Sequence, residues 1–248
     1  MRLKTLFLLA AAGIGGFTLQ GKATAIDLGA AGSFGVLGGS AVTNAGPTTI
    51  LGDLGVYPGT AISGFPPGTV SGVAPSDVRM KQAHDDAAAA YALLGGLAVT
   101  QDLTTELGGR TLTPGVYRLA TAGLTGTLTL DGQGQANPLF AFLIGTTFGS
   151  AANSSVVGIN GGDASNIYFR VGTAATLGAG TMFNGTIISS TGETLGAGAT
   201  VNGRIIALGG AVTLDTDRIN VPVGAVPEPA SMLVVGAAAF LARRKRQS

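Results

Sequence analysis

The chain has no cysteine, no tryptophan and a single histidine, His84, and only 11% of its residues are charged. Without cysteine there can be neither disulfides nor thiolate metal sites, so an exported chain of this kind must hold its core by packing alone. One histidine and no thiol leave no serine–histidine–aspartate set and no histidine-rich metal centre. A carbohydrate hydrolase or lyase needs carboxylates and basic side chains gathered on one face, and this chain is too poor in charge to assemble them. The glycines contain no complete phosphate-binding fingerprint. Between residues 26 and 226, seven basic side chains face twelve acidic ones, a net charge of −5, so the nominal +1 of the whole chain belongs to its two ends. That balance leaves no basic patch for nucleic acid. These absences point to a protein that is not an enzyme and carries no cofactor.

What the chain does contain is glycine, 42 residues of it, punctuating short apolar and threonine-rich runs. Thr176 to Ile188 reads TLGAGTMFNGTII and Thr194 to Ile206 reads TLGAGATVNGRII, an 18-residue offset with nine of thirteen positions identical. The same offset links Asn166, Asn184 and Asn202, and also Phe169, Ile187 and Ile205. Repeats this short cannot each bury a face alone and must stack. Three runs of about six residues per coil match the period of a triangular parallel β-helix. Stacking then fixes the columns, since residues one coil apart lie about 4.7–4.9 Å apart across the ladder. Phe169, Ile187 and Ile205 form an inward apolar column, and the three asparagines an amide ladder at a corner. Thr173-Ala-Ala-Thr176 and Thr191-Gly-Glu-Thr194 lie one coil apart and place four threonines in a grid. Threonine is β-prone on any pleated surface, so periodicity alone leaves open whether that grid is functional.

Pro75 to Leu94 predicts the one long helix. Ser76 is its N-cap, Met80, Ala83, Ala87, Ala90 and Leu94 fall at alternating steps of three and four, and Gly95-Gly96 ends it. The narrow alanine stripe suits close packing along a flat sheet. Before the helix, Asp27 to Ala74 reads as irregular coils of the same solenoid. After it, short strands resume, with Leu139 to Ile144 buried on both faces. His84-Asp85-Asp86 resembles a metal cluster in print, but adjacent helical side chains point about 100° apart, which favours an exposed polar face. Asp215 and Asp217 share one face of a strand and could hold a cation, though no calcium-type loop follows them.

Both ends carry signals. Residues 1–25 read as an export peptide with a basic start, an apolar run from Leu6 to Phe17, and Ala23-Thr24-Ala25 before the cleavage point. The domain then occupies 26–222, and residues 223–248 form a separate C-terminal segment. There Pro227, Glu228 and Pro229 precede the apolar run 230–242, followed by Arg243, Arg244, Lys245 and Arg246. Thirteen helical residues reach about 20 Å, short of a hydrocarbon core of about 30 Å, which argues against a permanent span. The pattern resembles the PEP-CTERM sorting signal of Gram-negative bacteria; an ordinary tail anchor is the other reading. The resemblance implies exosortase-type machinery, transient inner-membrane association through 230–242, and delivery to the cell surface or extracellular matrix.

Several ordered motifs between Ile26 and Val221 resemble the ice-binding-like family of bacterial and fungal antifreeze proteins. They are Asp27-Leu-Gly-Ala-Ala-Gly-Ser-Phe-Gly-Val-Leu-Gly-Gly-Ser40, Gly52-Asp-Leu-Gly-Val-Tyr-Pro-Gly-Thr60, Gly64-Phe-Pro-Pro-Gly-Thr69, Leu112-Thr-Pro-Gly-Val-Tyr117, Leu124-Thr-Gly-Thr-Leu-Thr-Leu-Asp131 and Gly198-Ala-Thr-Val-Asn-Gly-Arg204. The resemblance implies a discontinuous, right-handed triangular β-solenoid flanked by one long helix, with the surface of an ice crystal as its partner. Some members carry a Thr-Ala/Gly-x-Thr/Asn motif on the ice-binding face, which Thr173, Thr176, Thr191 and Thr194 match. Glu193 departs from it: facing outward, a hydrated carboxylate would disturb an ordered water layer. A structural or adhesive module in exopolysaccharide, with the same fold and no ice activity, is the alternative.

Overall fold

The computed structural model describes residues 26–72 and 75–222. The export peptide and the PEP-CTERM-like segment lie outside the described residues. The fold is mainly β, with parallel strand pairing throughout two sheets of fourteen and seven strands, and one α-helix, Asp77–Gly95. Parallel strands need a connection that returns each strand in the same direction, and here the coil itself supplies it.

The strands fall into three ladders. One contains Gly115–Leu119, Phe140–Ile144, Ile167–Val171, the second halves of Met182–Ser189 and Thr200–Ala207, then Phe34–Gly38 and Asp53–Val56. The seven-stranded sheet is the second: Ala122–Leu124, Phe148–Ser150, Ala175–Leu177, Glu193–Leu195, Val212–Asp215, Ala41–Ala45 and Ala61–Ser63. The third includes Thr127–Asp131, Ser155–Ile159, the first halves of the two long strands, Arg218–Asn220 and Thr49–Leu51. The eight-residue strands serve two ladders because each bends at a glycine. Gly185 has φ +131°, closed to most side chains, and a Cβ on Gly203 one coil above would drive into the Gly185 carbonyl oxygen.

The order within the ladders is not the order along the chain. Phe34–Gly38 and Ala41–Ala45 stack beyond the last repeat, against Thr200–Ala207 and Val212–Asp215, although they come first in sequence. Asp27 to Gly72 therefore forms the coils at one end of the stack, as a discontinuous coil requires. The helix then carries the chain to the other end, where winding begins again. Stacking of parallel coils in this way is consistent with a β-solenoid.

The 18-residue step holds for the closing coils, pairing Thr176 with Thr194 and Met182 with Thr200. It becomes 19 residues between Glu193 and Val212, and 27 between Phe148 and Ala175. The predicted asparagine ladder is correspondingly displaced by one coil. Asn202 Nδ2 donates to Asn184 Oδ1 at 3.1 Å and Asn220 Nδ2 to Asn202 Oδ1 at 3.0 Å, whereas Asn166 donates to the Asn137 carbonyl at 2.9 Å. Asn166 lies in the short 3-10 turn Ala164–Asn166, part of the excursion that lengthens its coil, so it never reaches the corner.

Inside the coil, Tyr117, Phe142, Phe169, Ile187, Ile205, Val36 and Leu54 form one buried column, with Phe142 and Phe169 stacked at 4.4 Å between centroids. The expected column Phe169–Ile187–Ile205 is thus extended at both ends. The helix is capped by Ser76, whose Oγ accepts from Arg79 N at 3.4 Å, and ends at Gly96. Its buried residues are Ala83, Ala87, Ala90 and Leu94, packed on Leu37, Ala141, Tyr168, Ile188 and Ile206 of the first ladder. Methyl-sized side chains let the helix lie close to the sheet. The polar cluster does not converge, but neither is it wholly a solvated face. His84 Nε2 lies 2.8 Å from the Leu208 carbonyl, and Asp86 Oδ2 accepts from Ala30 N at 2.7 Å. Asp85 alone stays exposed, paired with Lys81 one turn earlier.

Candidate functional site

With the helix covering the first ladder, two ladders remain exposed. Strand alternation divides each of the seven strands of the second ladder into inward and outward positions. Leu177, Leu195, Leu214 and Val42 are buried, and the residues beside them face out. Thr176 pairs with Thr194, Thr194 with Thr213, Thr213 with Thr43, and Thr43 with Ser63, giving one exposed hydroxyl per coil for five coils. Coil stacking sets their spacing at about 4.7–4.9 Å. The Thr43 and Thr213 hydroxyls are 3.4 Å apart. Two residues before each of these hydroxyls stand Ala174, Gly192, Ala211, Ala41 and Ala61, none larger than a methyl group. A threonine rank beside a shallow trough makes a flat surface, and the stiff χ1 of threonine keeps its hydroxyl and methyl in fixed places.

Of the four threonines singled out from the sequence, Thr176 and Thr194 stand in this rank. Thr173 and Thr191 are also exposed but occupy the corner that leads into it, with Thr191 N donating to the Thr173 carbonyl at 3.0 Å. Thr173 N in turn donates to the Thr146 carbonyl at 2.8 Å, so the corner column begins one coil earlier than the repeat. It ends at Gly210, which takes the place of a threonine above Thr191. This interruption stops the corner column only. The main rank continues through Thr213, Thr43 and Ser63, which sequence reasoning missed. One extra residue in the coil between Thr194 and Thr213 hides Thr213, and Thr43 lies 170 residues from its partner.

Glu193 is turned away from this surface. It pairs with Ala175 and Val212 on the inward side and is 2% exposed. Burial pushes its carboxyl well above the usual range, an effect only partly offset by the Ser189 hydroxyl and the backbone at Ser189 and Ile206. The rank itself thus carries no charge, while Asp215 stands at the next outward position beyond Thr213. Asp215 and Asp217 do not share a face either. Asp217 is buried in the turn, where Oδ1 accepts from Ala199 N at 2.9 Å and Oδ2 from Asp215 N at 2.7 Å. Both of its oxygens are spent on backbone, and no group of three potential metal ligands forms among the described residues.

The third ladder offers a poorer surface. Its outward column runs Thr127, Ser155, Met182, Thr200, Arg218, Thr49, Thr69, so a flexible thioether and a guanidinium interrupt the hydroxyls. Met182 is 63% exposed. On the helix-covered side, Arg118 Nε and Asp102 Oδ1 form an exposed ion pair at 2.7 Å, far from the rank in the fold.

Comparison with known proteins bears on the family and the fold. The sequence profile of the family described as Ice-binding-like matches residues 36–220. The chain is 46% identical over 244 residues to an ice-binding protein of Nostoc sp. (strain HG1), covering 94% of this chain and 90% of the relative. Its fold superposes on the crystal structure of an ice-binding protein from the Antarctic ascomycete Antarctomyces psychrotrophicus with a TM-score of 0.77 and 41% identity, over 80% of this chain and 99% of the other. An ice-binding protein from an Antarctic biological consortium gives a TM-score of 0.76 at 38% identity, over 79% of this chain and 91% of that one.

Proposed function

The chain belongs to the ice-binding-like family, and from that premise we propose that it adsorbs to ice through the seven-stranded face, blocking crystal growth and recrystallisation. The observation that supports this most directly is the uncharged rank Thr176, Thr194, Thr213, Thr43, with Thr173 and Thr191 at its edge. Ordered water can span such a rank because the hydroxyls repeat at one spacing and the methyl groups between them restrict water to few arrangements. Rigidity matters equally, since side chains already fixed by χ1 lose little entropy on binding. The coil is read as right-handed and triangular, its three ladders forming three walls of which this is the flat one.

The terminal sequences complete the proposal. Export by residues 1–25 and sorting at Pro227-Glu228-Pro229 by exosortase-type machinery would bring the domain to the cell surface or matrix, after transient membrane association of 230–242. Among the described residues no helix is long and apolar enough to cross a membrane.

The test is ice recrystallisation inhibition and crystal faceting by purified residues 26–226, beside a variant with Thr176→Lys and Thr194→Lys. Faceted, non-coarsening crystals with the wild type and rounded, coarsening ones with the variant are expected. Surface substitutions of this kind change stability by no more than about 0.5 kcal/mol, so both should melt alike. Equal activity of the two proteins would place ice binding on another face. A folded wild type without ice activity would favour the matrix or adhesive module instead.

A further inference from the structure

Directly behind the rank sits a carboxyl that ice adsorption does not use. Glu193 precedes Thr194, the second threonine of the rank, and points into the coil between Ala175 and Val212. Neither of its oxygens has a hydrogen-bond partner of good geometry, although Ser189 and Ile206 approach it. No countercharge reaches it from the elements packed around it. Ala175–Leu177 and Met182–Ser189 contain no ionisable side chain. Thr200–Ala207 contains only Arg204, whose guanidinium is turned outward and donates to the Gly32 carbonyl at 2.9 and 2.7 Å. Val212–Asp215 contains only Asp215, three residues beyond the position paired with Glu193. The site also lies where the coil step changes from 18 residues below to 19 above. Here the rank is kept in line across an irregular corner.

We propose, resting on the ice-face reading, that Glu193 is a positioning residue for the threonine rank: uncharged, its carboxyl fills the space behind Thr194, and ionised, it leaves that space and takes Thr194 out of line with Thr176 and Thr213. A lone carboxylate in a dry core has no water and no partner to stabilise it. The strand that holds it, Glu193–Leu195, is three residues long, so rearranging this strand is the local route to hydration. The burial that raises its pKa fixes the direction, with the face intact at low pH and disrupted as pH rises.

Ice faceting by the purified protein from about pH 5 to about pH 10, with wild type beside Glu193→Gln, tests this. Carbon-13 spectra of the Glu193 carboxyl and the threonine methyls are followed in the same samples. For the wild type, faceting should be lost as pH rises along a single titration, with the Thr194 methyl moving in step with the Glu193 carboxyl. The glutamine variant, of the same shape and no charge, should facet throughout with an unmoved methyl. A wild type whose faceting and Thr194 methyl stay constant while the carboxyl titrates would overturn the role, as would a glutamine variant with the wild-type profile. If the variant does not fold, the wild-type spectra decide alone, since a Glu193 that ionises behind an unmoved Thr194 overturns it at whatever pH this occurs. A wild type without ice activity at any pH removes the ice-face reading, while a Thr194 methyl that follows Glu193 still supports the positioning role.

Discussion

At the scale of single residues, strand alternation decides which side chains reach the surface until a turn breaks it. Thr176 and Thr194 were legible because they sit in the exact repeat. The inward turn of Glu193 follows from the same strand geometry: the alternation that puts Thr194 outside puts its neighbour inside. Asp217 was misread for the opposite reason, since alternation along an extended strand would align it with Asp215, but the chain turns between them. Its burial in that turn has a consequence for pH. Burial raises the Asp217 carboxyl from 3.8 to about 6, against the two backbone N–H groups that favour its charged form, and the nearby Asp215 adds to the rise. A carboxyl that binds its proton more tightly in the folded state contributes stability at low pH and loses it as pH rises. From this group, stability should be greatest below the unfolded value near 4, fall between about 4 and about 6, and stay level above. Exposed carboxylates such as Asp102 and Asp131, held below their usual range by Arg118 and by the Gln133 N–H respectively, act in the opposite sense and at lower pH. Thermal melts of wild type and Asp217→Asn across this range separate the contributions. The variant should lack the decline between about 4 and about 6, whatever its absolute stability; parallel curves would show that Asp217 does not titrate there.

At the scale of elements, the helix was the part most completely readable. Cap, alanine stripe and terminating glycines each pointed the same way, and the observed span Asp77–Gly95 differs from the expectation only at its ends. Its alanines are small for a steric reason, because the helix backbone lies against Leu37, Ala141 and Ile188 with no room for a longer side chain. Ala87→Leu should therefore destabilise by about 1–3 kcal/mol through overpacking, despite leucine being a good helix former. Ala89→Leu, on the exposed side of the same helix, should change stability by no more than about 0.5 kcal/mol. Paired denaturant titrations read both values, and equal effects would mean that the helix is not held close to the sheet. The strands were less legible individually. Runs of two or three residues such as Thr111–Leu112 and Ala61–Ser63 carry too little periodicity to be recognised, and only stacking on longer neighbours makes them strands.

At the scale of the whole molecule, what the sequence could not display was which coil lies on which. A repeat read along the chain predicts that its last coil is an end of the stack, yet Thr200–Ala207, Val212–Asp215 and Arg218–Asn220 are all interior strands, covered by Phe34–Gly38, Ala41–Ala45 and Thr49–Leu51. Resemblance to a discontinuous family implied the break, but periodicity did not, because the covering coils share no repeat with those they cover. The arrangement does two things at once. It closes edges that would otherwise offer unpaired N–H and C=O groups to another chain, and it brings Thr43 and Ser63 into the rank begun by Thr176. Stability and the length of the candidate ice face thus depend on the same contact between the first and last parts of the domain. A chain beginning at residue 75 would open three strand edges and uncover Ile205, Val212 and Ile219, all fully buried in the intact domain. It should lose its cooperative thermal transition and elute as aggregates in size-exclusion chromatography. Adding residues 26–72 as a separate polypeptide during refolding should restore the monomeric elution volume of the complex, since the contact consists of parallel ladders and apolar columns that need no covalent link. A soluble, cooperatively folded chain from residue 75 onward would instead mean that the first coils only lengthen the face and do not hold the stack together.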